Sequence, residues 1–180
     1  NSYLSIIYDG EDRVDKLIQG QDIFDFVFSP NLTALYDPKG NRVEYFINSD
    51  GTTQKKIEYC QTSNPQTLYE YDSNKLISKI TYPKGNLTNY TYDSKGNLLE
   101  AKRKPKTGSG EPDIVTTFTY ESRFNFIKTL KDPNGNTTTY YYDYEEAASG
   151  DLNSDGVTNQ DKGNLVKIAY PAVSGQASET

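Results

Sequence analysis

One short pattern recurs along this chain and limits what the chain can fold into: a tyrosine, an acid, two turn-forming residues, then Gly-Asn. It reads "YDPKGN" from Tyr36, "YDSKGN" from Tyr92, "DPNGN" from Asp132 and "DKGN" from Asp161. Tyrosines that close a polar-aromatic run stand at Tyr8, Tyr36, Tyr71, Tyr92, Tyr120, Tyr142 and Tyr170. Aspartate follows Tyr8, Tyr36, Tyr71, Tyr92 and Tyr142, while Glu121 and Pro171 follow the other two. A short unit repeated in series, too small to bury a face alone, points to an architecture built by stacking neighbours.

The pattern is the chemistry of chain reversal. In Asp93-Ser94-Lys95-Gly96-Asn97 the aspartate can accept a hydrogen bond from a backbone N–H two residues on. Pro38 and Pro133 take the next position in two other copies, where a fixed φ suits a type I turn. Glycine then supplies the positive φ with which a bulged turn rejoins a hairpin. Asp50-Gly51 in "INSDGTT" reads as another such turn. The tyrosine closes the strand and is expected to stack on rings of neighbouring strands.

The segments between turns alternate with period two. Thr88, Tyr90 and Tyr92 fall on one side of an extended chain; so do Thr116, Phe118 and Tyr120, and Thr138, Tyr140 and Tyr142. The runs "RVEYFI", "KLISKITY", "NLLEAKR" and "NLVKIAY" are rich in β-formers. No stretch carries a sustained helical period, and "EEAAS" allows one helical turn at most. The expected fold is all-β: antiparallel hairpins forming a ribbon or spiral. Apolar residues are only 34%, yet there are 16 tyrosines, each able to cover apolar area while its hydroxyl reaches water. That mix suits a thin, wet sheet.

"YDPKGNRVEY", "YDSKGNLLE", "DPNGNTTTYYYD" and "GNLVKIAYP" resemble the YD repeats of RHS-repeat proteins, a group that includes bacterial polymorphic toxins and animal teneurins. The resemblance runs from about Tyr8 to Pro171. It implies a ribbon of hairpins wound into a hollow β-shell, which in toxin members encloses cargo. Residues 1–180 then form a single run of repeats. The missing methionine and the start at Asn1 are read as a segment of a longer chain. RHS proteins often cut themselves at Asp-Pro-x-Gly-Leu. Here Asp37-Pro38-Lys39-Gly40 and Asp132-Pro133-Asn134-Gly135 are each followed by asparagine, so cleavage is not expected.

Residues 144–162 read as an inserted acidic loop. Within it "DLNSDGVTNQD" resembles the calcium loops of EF-hands and dockerins. Asp151, Asn153 and Asp155 supply oxygens at alternate residues, Gly156 permits the bend, Val157 offers its carbonyl and Asn159 its side chain. Asp161 is the closing acid, one residue early, because Lys162 holds the position that normally gives two oxygens. Calcium is the one cofactor expected, at an affinity typical of extracellular modules.

With no histidine and one cysteine, His-based triads and His metal sites are excluded, and no intrachain disulfide can form. The acids sit mostly in turns, without the paired, unequal surroundings of a general acid beside a base. The chain reads as no enzyme. A net charge of -6 argues against nucleic acid as partner, and no apolar run is long enough for a membrane-spanning helix. The function expected is a non-catalytic structural segment of an exported or cell-surface RHS-repeat protein, serving as scaffold, shell or filament. The partners are the rest of a longer RHS chain or copies of itself. Two alternatives are a carbohydrate- or protein-binding adhesin module using aromatic strand faces, with glycans or another cell surface as partner, and a portion of a toxin-encapsulating shell. Asn31, Asn86, Asn89 and Asn136 head Asn-x-Thr sequons, relevant only if the source glycosylates exported proteins. Cys60 is expected as an idle or packed thiol at a strand end.

Overall fold

The computed structural model describes residues 3–60, 62–145 and 162–171. Its strands are β1 (Leu4–Tyr8), β2 (Val14–Gln19), β3 (Asp22–Ser29), β4 (Leu32–Tyr36), β5 (Arg42–Ile47), β6 (Thr53–Tyr59) and β7 (Gln66–Tyr71). They continue as β8 (Ile77–Thr81), β9 (Leu87–Tyr92), β10 (Leu98–Lys104), β11 (Ile114–Tyr120), β12 (Ile127–Lys131), β13 (Thr137–Tyr142) and β14 (Leu165–Ala169). One 3₁₀ turn, Asp143–Glu145, follows β13. The fourteen strands form one antiparallel sheet in which sheet order is chain order. The all-β hairpin ribbon expected from the sequence is therefore the observed fold. The chain divides into two compact units, Asn1–Thr88 with Pro105–Gly110, and Asn89–Lys104 with Glu111–Thr180.

The turns follow their chemistry closely. At Asp37 the Gly40 N–H donates to the Asp37 carbonyl at 2.9 Å, and the Asp37 N–H donates to the Asn41 carbonyl at 3.0 Å. Gly40 sits at φ 78°, where a Cβ would be strained. The same pair of backbone bonds closes the turns at Asp72, Asp93 and Asp132. Lys75 takes the glycine position at φ 63° in the Asp72 turn. Just before the reversals at Asp9, Asp72, Glu121 and Asp143 the pairing register slips, at Ile7/Tyr8, Glu70/Tyr71, Thr119/Tyr120 and Tyr141/Tyr142. These are the bulges that let a type I turn rejoin a twisted ladder.

In the first unit, register sets which side chains meet. Ile6 faces Leu17, which faces Phe24; Phe26 faces Leu35, which faces Val43. Directly opposed residues share a face, so these rows make one apolar side. The other side is mixed: Lys16 opposes Asp25, and Arg42 opposes Tyr59. Its most covered row is Ala34–Glu44–Ile57, at 4%, 7% and 7% exposure. In the second unit Phe118, Leu130 and Thr138 form a row, and Thr119, Thr129 and Thr139 another. Among the described residues only Ala34, Ile57 and Tyr142 are buried apolar residues. This is the thin sheet that the tyrosine-rich, aliphatic-poor composition calls for.

Candidate functional site

The six residues expected to bind calcium, Asp151, Asn153, Asp155, Val157, Asn159 and Asp161, lie outside the described residues. Among the described residues no group of three or more Asp, Glu or Cys side chains is placed to hold a metal ion. What the structure does describe is the residues on either side of them, and the repeat chemistry that holds those residues.

That chemistry starts with the acid of each turn. The Asp93 carboxylate takes the Lys95 N–H at 2.8 Å and the Asn97 N–H at 2.9 Å on one oxygen. Its second oxygen takes the Asn97 side-chain amide at 2.8 Å. Asp37 with Asn41 and Asp132 with Asn136 repeat the arrangement. The asparagine of each Gly-Asn is thus the second half of a carboxylate–amide lock. The sequence showed the residue but not its task. The side-chain bond from Asn97, then the backbone bonds, hold the Asp93 carboxyl below the usual carboxylate range. The sequon residue Asn136 commits its amide to Asp132 in this way.

The tyrosines supply a second fastening, between repeats. The Tyr71 hydroxyl donates to the Thr53 carbonyl at 2.9 Å, Tyr120 to Leu98 at 3.0 Å, and Tyr142 to Ile127 at 2.7 Å. Each acceptor is the first residue of the strand that leaves the preceding turn on that rim of the sheet. Each repeat therefore clips onto the exit of the one before it. Ring contacts, which the sequence suggested as the tyrosine's role, are made near the β13–β14 end. Phe124, Phe126, Tyr142 and Tyr144 form a chain of ring contacts with centroids 5.2 to 6.0 Å apart.

This aromatic cluster stands at the β13–β14 end. Glu121 takes the N–H groups of Arg123, Phe124 and Phe126 at 2.6 to 2.8 Å and so shapes the neighbouring turn. The Arg123 guanidinium lies over the Phe124 and Tyr144 rings at 5.4 and 5.3 Å. The Tyr144 hydroxyl is buried without a hydrogen-bond partner among the described residues. Burial, with the Glu121 carboxylate beside it, holds that phenol far above its ordinary pKa. Beside the cluster Tyr120, Phe126, Tyr140, Tyr142 and Leu165 line an open depression of about 540 Å³.

The first unit holds a smaller polar group. Arg42 pairs with buried Glu44 at 2.9 Å, the Tyr59 hydroxyl donates to the same carboxylate at 2.6 Å, and the guanidinium rests 4.0 Å from the Tyr59 ring centroid. Arg42 and Tyr59 thus take one oxygen each of the Glu44 carboxylate and tie it to the sheet. Cys60 is a free thiol just beyond β6, at a strand end as expected, and it is exposed and not packed. No helix of the described residues is long and apolar enough to cross a membrane.

Comparison with known proteins agrees with this construction. Residues 71–107 match the RHS Repeat family, so the chain carries an RHS repeat within its ladder of hairpins. Its fold is similar to a portion of the Photorhabdus luminescens Tc holotoxin pore, with a TM-score of 0.63, 15% identity and 97% of this chain covered. It is also similar to a portion of a TcdB2–TccC3 structure that lacks the hypervariable C-terminal region, at TM-score 0.58, 14% identity and 97% coverage. The chain spans only 9% and 10% of those two chains. A porin-like protein from Bacteroides uniformis matches at TM-score 0.52 and 13% identity, over 98% of this chain and 86% of that one. At these identities the likeness is one of fold. No curated protein sequence matches the chain.

Proposed function

We propose that this chain is a non-catalytic structural segment of an exported or cell-surface RHS-repeat protein, a stretch of wall or scaffold that joins further repeats of a longer chain. Serial construction carries the reading. Every strand pairs with its chain neighbours, and Tyr71, Tyr120 and Tyr142 each clip one repeat to the exit of the previous turn. Such a ladder grows by adding hairpins and has no built-in end. The first strand supports this: all five residues of β1 are exposed, with Leu4 at 61%, Ile6 at 43% and Tyr8 at 57%. An apolar edge of this kind is completed by another strand. The similarity to short stretches of much larger toxin chains fits a segment role. Membership of a toxin-enclosing shell is the specific form that this likeness favours.

The inserted loop adds a calcium site to this reading, formed by Asp151, Asn153, Asp155, Val157, Asn159 and Asp161. Its support is the oxygen-bearing spacing with Gly156 at the bend.

Light scattering on the isolated chain tests the segment role. The chain is expected to associate through its uncovered edges, and Ile6→Lys, which places a charge on β1, is expected to reduce association. A sharply monodisperse monomer, unaffected by Ile6→Lys, would overturn it.

A further inference from the structure

The β13–β14 connection contains an ordinary repeat turn cut open. Asp93-Ser94-Lys95-Gly96-Asn97 closes β9 onto β10. Between β13 and β14 the corresponding residues are Asp143, Lys162, Gly163 and Asn164, with residues 144–161 standing where Ser94 alone stands. Two of the closing bonds survive the interruption. The Asp143 N–H donates to the Asn164 carbonyl at 2.9 Å, the same length as Asp93 to Asn97. The Asn164 side-chain amide donates to the Asp143 carboxylate at 2.9 Å, against 2.8 Å for Asn97 and Asp93. Lys162 N–H reaches that carboxylate at 3.3 Å, where Lys95 reaches Asp93 at 2.8 Å. Gly163 holds φ 78°. The glycine differs: the Gly163 N–H turns to the Asp143 carboxylate at 2.9 Å, whereas the Gly96 N–H serves the Asp93 carbonyl and the Asn97 N–H takes the Asp93 carboxylate.

The interrupted turn is also reinforced. Asp143 is fully buried at 0% exposure. Burial alone would raise its pKa, but the backbone bonds from Asn164, Gly163 and Lys162 outweigh it and keep the carboxyl below its ordinary range. The rings of Phe126 and Phe124 lie against Gly163, 2.9 and 3.2 Å from where a Cβ would stand. On the other flank Glu145 accepts the Tyr142 N–H at 2.9 Å and pairs with Lys128 at 2.7 Å. Asp143 just after β13 and Glu145 beyond it therefore fix the turn to the sheet on both flanks.

We infer that the Asp143–Asn164 lock with its aromatic cover closes this repeat turn whatever sequence joins its two sides, which makes the turn a point where foreign sequence can be presented. The inference does not rest on calcium binding. Its test is hydrogen exchange, read on the amides of β13 and β14, in two variants of the full chain. In the first, residues 146–161 are exchanged for Gly-Ser-Gly, leaving Asp143, Tyr144 and Glu145 in place. In the second, Asp143→Ala, the insertion is kept and the lock removed. Excision is expected to leave protection within about twofold of the parent, and Asp143→Ala to lower it by about tenfold or more in both strands. If excision strips protection from β13 and β14 or unfolds the chain, the sheet needs the insertion and the inference fails. It fails equally if Asp143→Ala leaves protection intact.

Discussion

The Tyr120 hydroxyl donates to the Leu98 carbonyl at 3.0 Å, joining residues 22 positions apart in the chain and one hairpin apart in the sheet. The bond spends the phenol's polar tip on the backbone of the paired strand, β10. In a sheet with so few buried apolar residues, such clips replace some of the work that a second layer does elsewhere. Burial accordingly raises the Tyr120 pKa.

Tyr120→Phe keeps the ring and removes the clip. It is expected to cost about 1 kcal/mol, the net worth of one such bond plus a carbonyl left wanting. Urea unfolding would read the loss. Tyr3→Phe, at a ring 75% exposed, serves as control and is expected to change nothing measurable.

The turn aspartates impose a pH dependence. The side chains of Asn41, Asn97 and Asn136 head the groups that hold Asp37, Asp93 and Asp132 below the ordinary carboxylate pKa. A carboxylate depressed in the fold favours folding fully above its unfolded value, about 3.9, and that favour is lost as pH falls through the lower folded value. Stability should therefore fall with acid below about pH 4. Asp93→Asn is expected to lower the neutral plateau and flatten the acid limb, as measured by melting temperature across pH. An unchanged acid limb would remove the lock from the account.

Gly40 and Gly163 share φ 78° and differ in surroundings. A Cβ on Gly40 meets nothing within 4 Å, while one on Gly163 meets Phe126 at 2.9 Å. Gly40→Ala is expected to cost about 1–2 kcal/mol from backbone strain alone. Gly163→Ala should cost about 1–3 kcal/mol more, because the rings must move. Equal losses in thermal unfolding would show that the aromatic cover does not press on the turn.

Calcium is expected to give heat in a titration and to raise the melting temperature at up to about millimolar concentration. Asp151→Ala or Asp155→Ala is expected to abolish both effects. No response in the parent chain at that concentration would discard the site.

The fold was legible because its turns are written in residues with one conformational purpose. Asp37, Pro38 and Gly40 announce a reversal without reference to the rest of the chain, and strict alternation between reversals leaves little but strands. Lys75, standing where glycine is usual, was not legible as a turn residue, since lysine at positive φ is held there by the ladder on either side. The phenol clips were hidden for a different reason. Tyr120 and Leu98 are far apart in sequence, and a carbonyl acceptor leaves no mark in the side-chain alphabet. The asparagine of Gly-Asn was visible and its partner adjacent, yet its role depends on the second carboxylate oxygen facing it, a matter of geometry. The insertion could be read at Asp151 to Asp161, but its root could not, because Asp143 and Asn164 match the repeat only once the intervening residues are set aside.

Sheet order that equals chain order has a mechanical consequence. Within either unit, tension along the chain loads each ladder at its end, so its hydrogen bonds break in succession and never all together in shear. Such a strip peels at modest force, hairpin by hairpin, and each phenol clip marks a place where the peeling front should pause.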